Sequence, residues 1–548
     1  MRTNNHDTVK RDALLAALPK ALNDIGYDSL RDAQEKCMNT ILAGDDTFCV
    51  LPTGGGKTLI AVLPAILNKY KTVIFSPLTA LMRDQVQSLQ RKGLKAGAIN
   101  SVQPDVENAL NLQAWINGEL QFLYVSPERI DDKQFTAAMT MVKPHLVVLD
   151  EAHCLSQWAP SFRPAYQRVG TFIEQFSPVQ VIAMTATATD QIITDVKDVL
   201  GTPEMVVEKH YYPRTNLRLE GRDAGTQQQL WKCLVNDIKE REGSIIIYCA
   251  SVKHVVMLYE YLHGIFGDEV TFFHGQMKPD HLKMINQDRF MSGEARIVIA
   301  TNAFGMGIDK PDIYTVIHAD MPGSLEAVAQ ETGRAARDGN DALCVMYTTD
   351  YGEKVQEFLW DMSNPDADTV KFVYNYFKST ADEDGISYVT LKDLTERAGS
   401  ECVGSAVQFM VSIGLIERLD PSQNALITIK DTLQDPLYDA VLAGGVPVSK
   451  DNCYITYKVN LEYIINKLGK SKQHVRSKLN TLAKEGRIAY DPPKRSKGSR
   501  VLRPLMDSDL MIAEARRTLE RKKFMMVRQY VTTPDAKKHD MLQNYFGE

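Results

Sequence analysis

Along the chain, apolar positions come first as short β-rich runs separated by stretches of helical period. Up to about residue 200 the runs are DTFCVLPT, KTVIFSP, LQFLYVSP, LVVLDEAH and VQVIAMTAT, each ended by polar or Gly/Pro punctuation. Runs that alternate with helix-length amphipathic segments predict parallel strands, because parallel neighbours need a crossover connection. Between residues 211 and 350 the pattern repeats in GSIIIYCAS, VTFFHG, ARIVIATN, YTVIHAD and ALCVMYT. A second α/β domain, similar to the first, is therefore expected, with the join near KHYYPRTNLRLE.

After Tyr351 the pattern changes. VKFVYNYF, TLKDLTERAG, AVQFMVSIGLIERL, LEYIINKLG and HVRSKLNTLAKEGRIAY read as helices closing on short strands. Helix, turn, helix and a strand pair make a winged-helix pattern. Residues 488–504, IAYDPPKRSKGSRVLRP, read as its wing, two strands around a basic Pro/Gly turn.

Composition narrows the class. The 548 residues are 44% hydrophobic and 24% charged, an ordinary globular balance that suits three or four domains at about 150 residues each. No apolar run reaches the roughly 18 residues of a membrane span, and the N-terminus has no secretory core. Eight cysteines without a C-x-x-C pair argue against a disulfide framework or a compact zinc site. The expectation is a reduced intracellular protein, cytoplasmic or nucleoid-associated, or nuclear in a eukaryote, with no membrane partner. The net charge is −6, yet residues 450–530 hold 20 Lys and Arg against 8 Asp and Glu, a local +12 that leaves −18 elsewhere. Such asymmetry fits local contacts to nucleic acid, or simply a basic solvated surface.

Three motifs carry chemistry. In LPTGGGKT (51–58), a glycine-rich strand-to-helix turn offers backbone N–H groups of Thr53, Gly54, Gly55 and Gly56 to phosphates. Lys57 would reach the β/γ-phosphates and the Thr58 hydroxyl would ligand Mg²⁺. Leu51 stands where the strict P-loop pattern has Gly. In LVVLDEAH, an apolar strand delivers Asp150 for Mg²⁺ and Glu151 to polarise the attacking water. In QETGRAARDG (330–339), Arg334 and Arg337 are three apart, so one helical face could aim both at a phosphate as arginine fingers beside Gln330.

Together these residues resemble superfamily-2 helicases, and within them the RecQ family of DNA helicases, over residues 22–350. The resemblance implies two tandem RecA-like P-loop domains with parallel sheets, followed by a helical and winged-helix region. It implies that Tyr27, Arg31 and Gln34 in GYDSLRDAQ hold the adenine. SPLTALMRDQV from Ser76 and YVSPERI resemble strand-gripping motifs, and Thr185 and Thr187 the motif coupling hydrolysis to domain closure. Gly305, Gly307 and Asp309 resemble the motif that senses nucleotide and DNA from the second domain. The most specific likeness is DEAHCLSQWAPSFRPAY (150–166), whose Gln157, Trp158, Phe162 and Arg163 resemble the family's DNA-sensing aromatic loop, with His153 linking it to the ATP site. Aromatics stack on bases regardless of sequence, which agrees with this role, although Trp158 and Phe162 could also be core residues.

The chain departs from the family in two places. Ala336 stands where Gly is usual. The stretch directly after the second core domain, EKVQEFLWDMSNPDADTVKF, has no cysteine where the family usually has a four-cysteine zinc module, and the only cysteines downstream are Cys402 and Cys453. Instead RRTLERKKFMMVRQYVTTPDAKKHDMLQNYFGE resembles that module's helical half, with His539 about where a cysteine is expected. Zinc is not expected; burial of Leu510, Leu519, Phe524 and Phe546 would have to hold these helices. The expected organisation is 1–208 and 209–350 as the two helicase domains, 351–449 as an accessory helical or winged-helix-like region, 450–506 as a basic winged-helix DNA-binding domain, and 507–548 as the helical remnant.

The implied activity is ATP-dependent 3′-to-5′ unwinding of DNA, with ATP and Mg²⁺ as cofactors. Single-stranded and forked double-stranded DNA are the implied partners, single-strand-binding or repair proteins further ones, and a monomer the default. The wing could split base pairs or merely hold duplex. The residues leave two rival readings open: a remodeller of RNA or protein–nucleic-acid complexes without processive unwinding, and a non-catalytic winged-helix DNA-binding protein.

Overall fold

A computed structural model of the chain describes residues 8–52, 54–77, 79–156, 164–211, 213–279, 281–305, 308, 310–421, 424–431, 435–451, 454–493 and 496–547. The chain divides into two compact units, Met1–Phe358 with Arg521–Glu548, and Leu359–Glu520.

The first unit holds two parallel sheets. Lobe 1 contains β1 (Thr47–Val50), β2 (Thr72–Phe75), β3 (Ala96–Ile99), β4 (Phe122–Val125), β5 (Leu146–Leu149), β6 (Gln180–Thr185) and β7 (Val206–Lys209) in the order β3-β4-β2-β5-β6-β1-β7. Its inner strands are buried on both faces, which is why their sequences read as unbroken apolar runs. One face packs on Trp115, Phe135, Tyr166 and Phe172, the other on Met38, Ile60, Leu63 and Met82. Lobe 2 contains β8 (Leu217–Gly225), β9 (Ser244–Tyr248), β10 (Val270–Phe273), β11 (Ile297–Ala300), β12 (Ile313–His318) and β13 (Ala342–Thr349) in the order β10-β11-β9-β12-β13-β8. Every pair in both sheets is parallel, as the alternating pattern predicts. β7 ends at Lys209, so lobe 1 extends one residue past the expected boundary, and residues 210–216 link the lobes.

The second unit corrects the expected wing. Its strands are β14 (Ile386–Ser387), β15 (Ile416–Leu419), β16 (Asn424–Ile429), β17 (Gly445–Asp451), β18 (Tyr454–Asn460), β19 (Ile488–Asp491) and β20 (Gly498–Val501). β19 and β20 do not pair with each other. β20 lies between β14 and β15, whereas β19 closes the sheet β17-β18-β16-β19. Two modules result, with separate cores. Helix Ala367–Ser379, β14, helices Leu391–Ala398 and Val403–Ser412, β15 and β20 follow winged-helix order around Val373, Phe377, Val403 and Met410. A second module, residues 424–491, is inserted between β15 and β20 around Ile427, Val441, Ile464 and Leu479. A boundary at 449/450 would cut β17.

Helix Asp507–Thr532 ends in the first unit, where helix Lys538–Gly547 follows it. A Cβ on Gly221 of β8 would lie 2.2 Å from the Val531 carbonyl oxygen, so this close approach needs glycine. Phe524 and Phe546 are buried, while Leu510 and Leu519 are half-buried. The Lys538 ammonium, fully buried, donates to the carbonyls of Tyr530 (2.6 Å), Val531 (2.9 Å) and Thr533 (2.7 Å). His539 Nε2 donates to the Leu217 carbonyl at 2.8 Å. Residues 507–548 contain no cysteine. No helix among the described residues is long and apolar enough to cross a membrane.

Candidate active site

β1 delivers the chain at Leu51 to a loop that returns as helix Lys57–Asn68. Gly54 and Gly56 take φ of +78° and +75°, and a Cβ on Gly56 would lie 2.1 Å from Gln34 Nε2. Glycine is needed there for conformation and for space. Gly56 at the N-cap offers no side-chain cap; the Leu59 N–H donates to the Gly56 carbonyl at 3.0 Å and the Gly55 N–H to that of Pro52 at 2.9 Å. Lys57 Nζ lies 3.4 Å from the Leu51 carbonyl, and Thr58 is exposed. Thr53 lies outside the described residues. Arg31 donates to the Gly54 carbonyl at 2.7 Å, and Gln34 to that of Gly56 at 3.2 Å. Two of the three residues assigned to the nucleobase are thus tied to the loop itself. Tyr27 is exposed, with the Lys92 ammonium 3.9 Å from its ring centre.

Asp150 leaves the end of β5 buried, and burial followed by Glu151, against Lys57, pushes its carboxyl up to about 7. Glu151 follows in the left-handed region at φ 50°, a conformation costing a non-glycine residue about 1–2 kcal/mol. Its buried Oε2 has no hydrogen bond, although His153 Nδ1 lies 3.3 Å away. Burial lowers His153, but Cys154 and Glu151 outweigh it and hold the imidazole up at about 9. In that form Nδ1 donates to Thr185 Oγ1 at 2.8 Å, and Thr185 donates to the Thr187 carbonyl at 3.1 Å. Tyr166 completes the support, donating from beneath to the carbonyls of Asp150 (2.8 Å) and Phe75 (3.1 Å). Nothing in the residue pattern signals this role beyond the place of Tyr166 in the aromatic-rich stretch. The Asp150 carboxylate and the Thr58 hydroxyl are hard oxygen donors and fit Mg²⁺.

In lobe 2 the helix carrying Gln330 ends at Thr332, with Gly333 at its C-cap. Arg334 and Arg337 therefore lie in the following turn, not on one helical face. Arg334 is buried and donates to the Gly305 carbonyl. Arg337 and Gln330 are half-buried. The turn reverses at Ala336, φ 42°, the position where glycine is usual. From the interlobe link, Arg214 donates to the carbonyls of Gly333 (3.2 Å) and Ala336 (2.5 Å). A crevice between the lobes is lined by Pro52 and Thr187 on one side and by Arg214, Gly333 and His539 on the other.

Of the residues assigned to DNA, Gln157, Trp158, Phe162 and Arg163 lie outside the described residues, as do Gly307 and Asp309 of the sensing motif. Ser76 is fully buried at the end of β2, so it has no access to a strand in this conformation.

Residues 31–196 match the model of the DEAD/DEAH box helicase domain, and residues 226–339 that of the helicase conserved C-terminal domain. The chain is 32% identical over 360 residues to the probable ATP-dependent DNA helicase RecS of Bacillus subtilis, covering 66% of this chain and 72% of RecS. It is 33% identical over 342 residues to the ATP-dependent DNA helicase RecQ of the same organism, covering 62% of this chain but only 57% of that enzyme. In fold it is similar to Saccharomyces cerevisiae Dbp5 bound to RNA and ADP BeF3, with a TM-score of 0.51 at 19% identity, over 64% of this chain and 91% of that one.

Proposed function

The chain belongs to the RecQ family of superfamily-2 DNA helicases, and from this we propose that it hydrolyses ATP to translocate on single-stranded DNA and unwind forked duplex, moving 3′ to 5′. One observation supports this most: a glycine loop with Lys57, and a half-buried Glu151 in the left-handed region whose Oε2 makes no hydrogen bond, sit at strand ends of one sheet. Loop amides and Lys57 hold the phosphates. Thr58 and Asp150 would hold Mg²⁺, which when bound would supply neutralisation of phosphate charge. Glu151 orients the attacking water, and Arg337 meets the transferring phosphoryl group from lobe 2. The chain Glu151–His153–Thr185–Thr187 leads from the water site to the interlobe crevice, where closure would be read.

Duplex would lie on the second unit, with the contact displaced from residues 488–504. The inserted module presents a helix-turn-helix, Leu461–Leu468 and Lys472–Lys484. Val475, Leu479 and Leu482 face its core, leaving Lys472, Gln473, His474, Thr481 and Lys484 exposed. An exposed polar N-terminal turn on the second helix suits a major groove. Hairpin β17–β18, with Tyr454 exposed near its tip, takes over the strand-splitting role considered for the wing.

Phosphate release and strand displacement on forks with 3′ or 5′ tails, in DNA and in RNA, test the reading. DNA-stimulated release with displacement of 3′-tailed DNA forks is expected. Hydrolysis without displacement would support the remodelling alternative, and absence of hydrolysis the non-catalytic one.

A further inference from the structure

The seven-residue link between the lobes does more than span them. Arg214 places two guanidinium nitrogens on two carbonyls of the lobe 2 turn, those of Gly333 and Ala336. Asn216, two residues on, donates to Asn340 (2.7 Å) and Ala336 (3.4 Å). On its other side the turn is pinned to lobe 2, the Ala336 N–H donating to the Ile313 carbonyl at 2.8 Å. Arg337 is the next residue. The turn that aims it is therefore fixed partly by its own lobe and partly by the hinge. Arg214 also lines the crevice facing Pro52 and Thr187 of lobe 1. Burial lowers its pKa, and the charges of Arg337 and Arg31 add to that.

We propose that Arg214 is a positioning residue for hydrolysis, its planar fork making the reach of Arg337 toward the nucleotide depend on the course of the interlobe link. As the lobes close, rotation of the link is passed to Arg337 through these two carbonyls. Lysine keeps the charge but lacks the rigid planar fork that fixes the two carbonyls relative to one another, so the geometry is what the position requires. The inference rests on the reading that this cleft hydrolyses ATP.

The test is DNA-stimulated phosphate release as a function of ATP concentration for the full chain, Arg214→Lys, Arg214→Gln, Arg337→Lys and the double variant Arg214→Lys/Arg337→Lys. Binding of a fluorescent ATP analogue and thermal unfolding are followed in parallel. Arg214→Lys is expected to lower kcat by about tenfold or more, with KM, analogue affinity and unfolding midpoint little changed, because misplacement costs rate more than binding. In the double variant the second substitution should add little, since both act through one group. Unchanged kcat in both Arg214 variants, or costs that multiply independently, would overturn the proposal. So would a fall in kcat tracking a lower unfolding midpoint in Arg214→Lys and Arg214→Gln alike, which would make the role structural. If the unmodified chain releases no phosphate, the reading of the cleft itself fails, and the proposal with it.

Discussion

The two lobes place similar parallel sheets side by side, yet they treat the ends of their strands in opposite ways. In lobe 1, helix Lys57–Asn68 starts at Gly56 without a side-chain cap, behind a loop whose Gly54 and Gly56 are in the left-handed region. In lobe 2, the helix after β9, Val252–Phe266, is capped by Ser251, which accepts from His254 N at 3.1 Å. Beside it the buried Asp320 carboxylate accepts from the Ala250 N–H at 2.8 Å and from His254 Nδ1 at 2.6 Å. Lobe 2 thus carries its own anion where lobe 1 leaves room for a foreign one. The fold alone does not make a phosphate site; it needs unused donors at the strand end.

The largest effect that could break this comparison is on hydrolysis. Lys57→Ala should lower phosphate release by at least about 100-fold, the scale of losing one charge-stabilising donor. Glu151→Gln should lose turnover comparably while still binding ATP, because its cradle survives. Appreciable turnover by Lys57→Ala would remove the assignment of lobe 1.

Asp320→Ala should do the reverse. Leaving His254 and the Ala250 amide without their acceptor is expected to cost about 1–3 kcal/mol of stability in denaturant melts, with ATP affinity retained. Loss of ATP binding at unchanged stability would mean lobe 2 holds the nucleotide.

Lys538→Met, which removes the cation from three buried carbonyls, is expected to cost a similar amount, about 1–3 kcal/mol, and to loosen proteolytic protection of residues 533–547. Metal analysis of protein purified without chelator bears on the same hairpin. No stoichiometric zinc is expected, and one tightly bound zinc per chain would mean that the clasp is a metal after all.

The smallest effect is a pH dependence in the second unit. Arg503, donating twice to Asp509 at 2.7 and 2.9 Å, holds that carboxyl below its ordinary value. A folded pKa below the unfolded one contributes stability that is complete above the ordinary Asp value and lost as pH falls through the folded one. Denaturant midpoints should therefore fall on acidification below about pH 4 less steeply in Asp509→Asn than in the unmodified chain.

What could be read in advance followed from local pattern. LVVLDEAH announced both β5 and its acidic end, and LPTGGGKT both the loop and the helix that follows, because strand, turn and chemistry are contiguous there. The second unit was harder, since pairing is not local. Nothing in IAYDPPKRSKGSRVLRP shows that its two strands leave for different sheets, and β14 is only two residues long. The placement of the arginine pair on one helical face failed for a smaller reason: Gly333 ends the helix one residue before Arg334, so a spacing of three no longer means one face. Edge strand β7, VVEK, escaped notice because its residues are only partly buried.

Titration calorimetry with a slowly hydrolysed Mg²⁺–ATP analogue tests the contrast between the lobes most directly. One site per chain is expected, abolished by Lys57→Ala and retained in Asp320→Asn. Two sites, or a single site that survives Lys57→Ala and vanishes in Asp320→Asn, would contradict the account.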